Sequence, residues 1–420
     1  MKLRKAKFYF ILSAAVLFAL NILSAPSALA KLPPKTGGTP DYYQPYLTLL
    51  KDVYEKMDQY YYQPVSKGVY ELFVDKYKKD VLSKLKPAKK RINQIAYIGA
   101  GLLVNHLKAP EDTFTNFIPP KIAKKYAQKV YGYSQGIGIT GQIKGKKYLI
   151  DYVERRSDSY KQGIRKNDLI ISIENQKVSN LSLLEIDKLL HPALGKTVSL
   201  DVIHPNKKPK HYLIKCEEFF RETITPIPTN MPKVFCLKIS SFNKETANDL
   251  KDYVRQYEKD GISLLIIDLE GNPGGPPLAV YEISGIFMPE HKKLFYYKKR
   301  NKPVFGMSAP ESDVKYTGPL VILINSKSGS AAELFTGTFK AYKRALIAGK
   351  EPTAGRAFLK TTFSYDDGAM LAMVIGFAYL TDGTKFGLKG VPPSLMIPKE
   401  EKNDLMFVLD KYKKKELPLP

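Results

Sequence analysis

The sequence contains few of the side chains that most often bind metals. It has only five histidines and two cysteines in 420 residues. Neither Cys216 nor Cys236 has another cysteine or a histidine at the spacing of a metal ligand. The sequence therefore predicts no metal site and no cofactor. Cys236 lies in the alternating run VFCLKIS, which indicates a buried strand position and disfavours a disulfide, although an exported chain could form one.

Long apolar runs are absent after the first thirty residues, so no later segment is predicted to cross a bilayer. At the start, four basic residues precede an apolar stretch at 8–23 and the small-residue tripeptide Ala28-Leu29-Ala30. This order is typical of a secretory signal peptide, here residues 1–30, cleaved after Ala30. A retained membrane anchor is the alternative, but the apolar stretch is shorter than the ~20 residues of a span. We therefore expect export to the periplasm or another extracytoplasmic part of the cell envelope.

Acidic residues are outnumbered by basic ones. The formal net charge is +25, and loss of the four basic residues of the predicted signal peptide leaves +21 (25 − 4). Such a surface attracts anionic polymers, anionic lipid and acidic proteins. The basic residues are dispersed in pairs and triplets and are not interleaved with aromatic residues, so nucleic-acid binding is not predicted. Association with a membrane surface stays open.

Three regions of different pattern follow the predicted signal peptide. Residues 31–125 begin with a Pro/Gly linker and continue with apolar residues at helical spacing, which predicts a helical N-terminal domain. Residues 126–218 contain five or six short alternating runs and two helical segments, the pattern of a compact β-module. Residues 219–420 alternate near-continuous apolar strands with helices, which predicts a parallel-sheet core. The fold class is thus a multi-domain α/β protein.

The first turn that is a candidate for a catalytic role follows the apolar strand LLIIDLE. Its sequence is Gly271-Asn272-Pro273-Gly274-Gly275. Sites of open α/β sheets lie at the carboxyl ends of strands. Successive glycines there leave backbone N–H groups free to approach a reacting oxygen, as an oxyanion hole requires. An ordinary strand-to-helix turn is the alternative interpretation.

The second turn follows the strand PLVILIN and contains Ser330 within SGSAAE. A serine between small residues at a strand-to-helix junction resembles a nucleophile elbow, and the N–H of Ala331 would face a reacting oxygen. Serine is also a favoured helix N-cap, so a purely structural role is the alternative. None of the five histidines lies at a strand end of the α/β core. A Ser-His-Asp triad is therefore not supported, and the base is expected to be a lysine.

Several segments together resemble one family, the C-terminal processing (tail-specific) peptidases, which are PDZ-containing Ser-Lys serine peptidases. These segments are, in order, GLLVNHLKAPEDTFTNFIPP, QGIGI, QGIRKNDLIISIENQKV, LKISSFNKETANDL, LLIIDLEGNPGG, SGSAAE and GLKGVPPSLMI. The resemblance implies a PDZ-like domain at 126–218 and a protease core of the crotonase-like and ClpP-like α/β kind at 219–420. It also implies that the partners are proteins or peptides with free C-termini.

The resemblance assigns roles to individual residues. Ser330, three residues before Glu333, would be the nucleophile. Gly274 or Gly275 and the N–H of Ala331 would form the oxyanion hole. The loop that captures a substrate's terminal carboxylate would consist of Gly136, Ile137, Gly138 and Ile139.

The chain differs from the family at the residue that acts as the general base. Where the family has Gly-Lys-Gly-x-x-Gln, Arg356 replaces the lysine and Lys360 replaces the glutamine. Branches that lack the lysine use a histidine, but that position here is Phe114. Arginine cannot be deprotonated in an ordinary site, so Lys360 is the predicted base, with Lys350 and Lys327 as the remaining candidates. Positions four apart on a strand face the same side, so Arg356 and Lys360 are expected to point into one site.

Two functions follow from this departure. The first is an exported serine endopeptidase that binds substrate C-termini through its PDZ domain and cleaves through an acyl-enzyme on Ser330. The alternative is an inactive pseudo-protease, a peptide-binding scaffold of the cell envelope in which Arg356 has cancelled catalysis.

Overall fold

The computed structural model describes residues 44–84, 92–300, 304–387 and 389–420. The predicted signal peptide and the linker after it lie outside these residues. The chain divides into two compact units. The first contains the described residues up to Tyr126, together with the described residues of 297–304 and Phe358–Phe377. The second contains Ala127–Tyr296, Phe305–Ala357 and Ala378–Pro420.

The first unit begins with three helices, α1 (Gln44–Tyr60), α2 (Lys67–Asp80) and α3 (Ile92–Leu107). The predicted apolar stripe of α1 is buried, with Leu50, Val53 and Met57 fully inaccessible to solvent. A strand β1 (Asn116–Ile118) follows and pairs antiparallel with β18 (Met370–Leu380), which in turn pairs with β17 (Phe358–Ser364). Helices and strands share one hydrophobic core, which includes Phe117 and Leu371. Helix α4 (Pro120–Tyr131) comes next along the chain.

The second unit begins with a β-module. Its strands are β2 (Tyr133–Gly136), β3 (Ile139–Lys144), β4 (Lys147–Val153), β5 (Leu169–Ile173), β6 (Gln176–Lys177), β7 (Thr197–Ile203), β8 (Lys210–Lys215) and β9 (Glu217–Phe220). The sheet order is β3-β4-β5-β7-β8, with β6 on β5, whereas β2 pairs with β9 as a separate ribbon. Two helices, α5 (Asp158–Lys161) and α6 (Leu183–Leu190), cover the core. Ser182 and Glu185 cap α6 reciprocally, which explains where this helix begins.

The α/β core contains a six-stranded sheet of order β10-β11-β12-β15-β16-β19. Its strands are β10 (Ile224–Ile227), β11 (Val234–Ile239), β12 (Leu264–Asp268), β15 (Leu320–Ile324), β16 (Leu346–Gly349) and β19 (Leu395–Met396). The pairings from β11 to β19 are parallel, and only β10 runs antiparallel. Every residue of β12 and β15 is buried, as the apolar runs predicted.

Three helices lie on the chain between parallel strands of this sheet, namely α7 (Thr246–Asp260), α8 (Pro277–Phe287) and α9 (Ala331–Ala341). A fourth, α10 (Asp404–Lys413), follows the last strand. Strands β13 (Lys293–Lys299) and β14 (Phe305–Ser308) lie on the chain between α8 and β15. Within the described ranges, no helix combines the length and the apolar character that a membrane span needs. Cys216 and Cys236 are both buried and are not joined by a disulfide.

Candidate functional site

Ser330 occupies the turn between β15 and α9 with an unusual backbone. Its φ of 55° and ψ of −116° lie outside the regions that non-glycine residues normally adopt. Such a conformation persists only when the surrounding structure holds it in place. Ser330 is half-buried at the N-terminus of α9, where unpaired N–H groups favour negative charge.

Glu333 supplies much of that support. Its carboxylate is only 1% exposed and accepts four hydrogen bonds. The donors are the N–H of Ser330 at 2.8 Å, the hydroxyl of Thr353 at 2.8 Å, and the N–H groups of Gly355 and Arg356 at 2.6 Å each. Burial raises the pKa of Glu333, and these donors partly offset the rise by stabilising the ionised form. One buried side chain thus joins the serine turn to the turn at 353–356.

The glycine turn lies directly against Ser330. A Cβ on Gly274 would come within 2.7 Å of both the Gly329 carbonyl oxygen and the Ser330 Cβ, and φ here is +103°. Only glycine fits this position. The N–H of Gly274 donates to the side-chain oxygen of Asn272 at 2.8 Å, and its carbonyl accepts from the N–H of Phe242 at 2.9 Å. Gly274 is therefore anchored on both sides.

The candidate oxyanion donors differ in whether their N–H groups already have an acceptor. Of the two glycines suggested by the sequence, Gly274 already donates its N–H to the side-chain oxygen of Asn272. The N–H groups of Gly275 and Ala331 have no acceptor among the residues that the structure describes. Ala331 is the first residue of α9, where helical hydrogen bonds have not yet begun. Among the candidate donors, the N–H groups of Gly275 and Ala331 are therefore the two that stay available.

Two supporting residues were not singled out from the sequence. Besides its bond to Gly274, Asn272 donates through its side chain to the carbonyl of Ile239 at 2.8 Å. Its carbonyl accepts from the N–H of Gly329 at 2.9 Å. An Asn in a Pro/Gly turn and a Glu three residues after a capping Ser are recognisable signals for such local hydrogen bonds. The roles of Asn272 and Glu333 were therefore within reach of sequence patterns.

Arg356 and Lys360, which were predicted to lie on one face of a strand, are arranged differently. Strand β17 starts at Phe358, so Arg356 precedes it, and a β-bulge between Leu359 and Lys360 shifts the register. The prediction that Arg356 and Lys360 share one strand face is therefore wrong, because the regular alternation does not extend over both. The exposed Arg356 side chain lies beside the serine turn, with Cδ 3.7 Å from where a Cβ on Gly329 would be.

Lys360 belongs to the first unit. It is exposed, and its ammonium nitrogen lies 4.7 Å from the centroid of the Phe114 ring, a cation–π contact. Phe114 also packs on Phe358, with ring centroids 5.2 Å apart. The predicted base therefore stacks on the position where some branches of the resembled family have a histidine.

The two remaining lysine candidates differ in environment. Lys350 forms an ion pair with Asp404 at 2.9 Å and donates to the carbonyl of Glu401 at 2.6 Å. The hydrogen bond to Asp404 raises the pKa of Lys350, which disfavours a role as a neutral base. Lys327 is exposed in the serine turn.

The predicted carboxylate loop connects β2 to β3. Ile137 is buried, and its carbonyl accepts from the hydroxyl of Ser159 at 2.6 Å. Gly138 has φ of +77°, and a Cβ there would come within 2.2 Å of the Ser157 Cβ. Ile139 opens β3, which pairs only with β4 among the described strands. The loop is thus rigid and lies at the start of an open sheet edge.

His191, which was not predicted as a site residue, lies beside this loop. Its ring comes within 3.5 Å of where a Cβ on Gly136 would be. Its Nδ1 is 2.8 Å from the carbonyl oxygen of Asp187. Of the described residues, no group of three or more His, Cys, Asp or Glu is arranged to hold a metal ion.

Comparison with known proteins adds an independent line of evidence. The family model "Peptidase family S41" matches residues 233–397, and the model "PDZ domain" matches residues 128–203. The "Carboxy-terminal processing protease CtpA" of Bacillus subtilis (strain 168) is 26% identical over 296 residues, which cover 70% of this chain and 63% of that relative. A "Probable CtpA-like serine protease" of Staphylococcus aureus (strain N315) is 27% identical over 293 residues, 69% of this chain and 58% of that relative. The chain spans about three fifths of the length of these curated relatives.

A solved structure shows a similar fold. The photosystem II D1 C-terminal processing protease aligns with a TM-score of 0.50 and 20% sequence identity, over 87% of this chain and 96% of that one. At this identity the likeness concerns the fold alone. The predicted fold class, with a helical N-terminal part, a PDZ domain and an α/β protease core, is confirmed. The predicted resemblance to the C-terminal processing peptidases is thus confirmed, with a match to the PDZ domain at 128–203 followed by a match to peptidase family S41 at 233–397.

Proposed function

We propose that this chain is a serine endopeptidase that cleaves peptide bonds through an acyl-enzyme on Ser330. The observation that carries the proposal is that the two turns at Ser330 contain two backbone N–H groups without an acceptor, those of Gly275 and Ala331. Donors held in place before the reaction stabilise an oxyanion without having to reorganise. Glu333 and Asn272 provide that rigidity through buried hydrogen bonds.

The proposed reaction has two stages. The Ser330 hydroxyl attacks the substrate carbonyl carbon, and the negative charge that forms on the carbonyl oxygen is bound by the two N–H groups. The hydroxyl proton passes to a base, which then delivers it to the leaving amine as the peptide bond breaks. Water then attacks the ester on Ser330 and releases the acyl product.

We assign the base to Lys360 on chemical grounds. A lysine is a base when its amine is neutral, whereas the guanidinium of Arg356 stays protonated. Arg356 contributes through its backbone, which donates to Glu333.

The PDZ domain is proposed to capture the C-terminus of the substrate. The loop at Gly136, Ile137 and Gly138 precedes the open edge of β3, so a peptide strand added to that edge would place its carboxylate at the loop. The partners are accordingly proteins or peptides with free C-termini.

Export is proposed from the sequence of residues 1–30. A basic head, an apolar stretch and a small-residue site before Lys31 support the assignment. Mass spectrometry of the protein from the extracytoplasmic fraction of its cells should find Lys31 at the N-terminus. An N-terminus at Met1 in that fraction would contradict the proposal.

A pseudo-protease is the second candidate function. It is favoured by one observation, an arginine at the family's base position with its side chain packed beside Gly329. In that case the PDZ domain would bind peptides and Ser330 would be inert.

Labelling with a fluorophosphonate separates the two candidates when it is combined with degradation of an unstructured protein. We expect wild type to be labelled and to degrade the substrate, and Ser330→Ala to do neither. Labelling that persists in Ser330→Ala would refute the assignment of Ser330 as the nucleophile. Absence of both labelling and degradation in the folded wild type would support the scaffold function.

A further inference from the structure

Asn325 directly follows β15, and its side chain contacts both the glycine turn and the serine turn. Its side-chain oxygen accepts from the N–H of Gly271 at 3.0 Å and from the N–H of Lys327 at 3.0 Å. Its side-chain NH₂ group donates to a carboxylate oxygen of Glu270 at 3.4 Å. A single oxygen atom therefore holds one backbone donor from each of the two turns.

These hydrogen bonds fix which way the Asn325 amide faces. Backbone N–H groups need an acceptor, so the amide oxygen faces Gly271 and Lys327, and the NH₂ group is left for Glu270. An ionised carboxylate only accepts hydrogen bonds, so Glu270 matches the NH₂ group. The reversed amide would set its NH₂ group against two other donors. Glu270 thus orients the side chain that joins the turns.

Two further hydrogen bonds join the same segments of chain. The hydroxyl of the fully buried Ser328 accepts from the N–H of Asn325 at 3.0 Å and donates to the carbonyl of Leu269 at 2.7 Å, just before the glycine turn. The N–H of Gly329 donates to the carbonyl of Asn272 at 2.9 Å. Asn325 therefore contributes to this joint through its backbone as well as its side chain.

The relative position of the two turns determines how the site can stabilise an oxyanion. The N–H of Gly275 belongs to the glycine turn, whereas Ser330 lies in the serine turn and Ala331 begins α9. A shift of one turn against the other would separate one oxyanion donor from the nucleophile. Misplacement of reacting groups by about 1 Å costs on the order of 10²-fold in rate.

We infer that Asn325 is a positioning residue, which fixes the oxyanion donor of Gly275 relative to Ser330 and is itself oriented by Glu270. The inference rests on the proposed function, because it takes Ser330 as the nucleophile. Asn325 acts through the two turns and not by contact with the reacting atoms. Its loss should therefore slow the chemical step and leave the binding of a small reagent unchanged.

The first test follows fluorophosphonate labelling of Ser330 in the full chain over a range of reagent concentrations. This separates the maximal rate constant from the concentration that gives half of it. We expect Asn325→Ala to lower the maximal rate constant by at least ~10-fold and to leave the half-maximal concentration within ~2-fold of wild type. The matched control is Asn248→Ala, which should change neither quantity. Asn248 also donates to a glutamate, Glu245, at 3.4 Å, but it lies on α7.

A reciprocal exchange tests the orientation by Glu270. Asn325→Asp keeps an acceptor for both backbone N–H groups but sets a carboxylate against Glu270, so the variant should be labelled at least ~10-fold more slowly than wild type. Adding Glu270→Gln supplies a donor for the new carboxylate. The double variant should therefore be labelled within ~3-fold of the wild-type rate.

The exchange is measured at about pH 9, where Glu270 is ionised. Burial raises the pKa of Glu270 to about 7. The charged groups that also act on it are two acids, which add to the rise, and two lysines, which oppose it: Asp268, Asp404, Lys238 and Lys350.

The outcomes separate this inference from the function on which it rests. If the reagent fails to label Ser330 in the folded wild type, the proposed nucleophile is wrong, and the positioning role falls with it. If wild type is labelled and folded Asn325→Ala keeps its maximal rate constant, the positioning role is overturned. An Asn325→Asp variant as fast as wild type, or a double variant no faster than Asn325→Asp, would overturn the orientation by Glu270. If Asn325→Ala does not fold, the comparison of Asn325→Asp with the double variant decides alone.

Discussion

The carboxylate of Glu333 accepts a hydrogen bond from the N–H of Ser330 at 2.8 Å, although Ser330 is the residue with the strained backbone. The same carboxylate holds the N–H of Arg356 at 2.6 Å. Proposed nucleophile and altered base position are therefore positioned by one buried group. Loss of this group should affect both together.

Glu333→Gln should destabilise the fold and remove activity. An amide presents an NH₂ group to donors that need an acceptor, and each unpaired buried donor costs ~1–3 kcal/mol. We expect the free energy of unfolding to fall by about 2–4 kcal/mol and labelling of Ser330 to slow by ~10² or more. Denaturant unfolding and fluorophosphonate kinetics measure the two effects. The exposed Glu400→Gln should change neither, and a fully active Glu333→Gln would contradict the role.

Lys360→Ala should abolish cleavage without unfolding the protein. Activity of wild type should rise with pH, because only the neutral amine accepts the proton from Ser330. A matched control is Lys166→Ala, which removes an exposed lysine that is not a candidate for the base. If the wild type is inert at every pH, Arg356→Lys combined with Lys360→Gln should restore some turnover. Full activity of Lys360→Ala would point to another base.

Peptides with a free apolar C-terminus should bind the full chain in the micromolar range, about 8 kcal/mol, and amidated versions should bind at least ~10-fold more weakly. Calorimetry on Ser330→Ala measures binding without cleavage. Gly138→Ala should weaken it, because Cβ would clash with Ser157 in the loop. Gly163→Ala adds comparable strain at φ of +101° in open space and serves as the control. Equal affinities of acid and amide peptides would refute carboxylate capture.

Glu270, at the entrance to the glycine turn, should make stability depend on pH. Burial, followed by the charges of Asp268 and Asp404, raises the pKa of Glu270 to about 7. The folded protein then holds a proton that the unfolded chain has lost, so the free energy of unfolding falls as pH rises from about 4.5 to about 7. Glu270→Gln should reduce this slope and gain about 1–3 kcal/mol over wild type at pH 8. Parallel stability curves for the two proteins would contradict the assignment.

The sequence predicted those parts of the site that local patterns encode. The apolar runs of β12 and β15 predicted buried parallel strands, and the small residues around Ser330 predicted its turn. The bulge before Lys360 was missed, because it arises from pairing with β18 and not from β17 itself. The choice between Gly274 and Gly275 was also left open, although the acceptor of the Gly274 N–H is the Asn272 side chain only two residues earlier, a local pattern that the sequence does contain.

The two buried cysteines, which form no disulfide, allow partial opening of the protein to be followed by chemical modification. Cys216 belongs to the core of the β-module, and Cys236 to that of the parallel sheet. Burial raises the pKa of Cys236 to about 12, so an alkylating reagent at neutral pH meets its thiolate only after the sheet has opened. The modification rates of the two cysteines can be measured separately after proteolytic digestion. They would therefore give the free energy of opening of the β-module core and of the parallel-sheet core in the same intact chain.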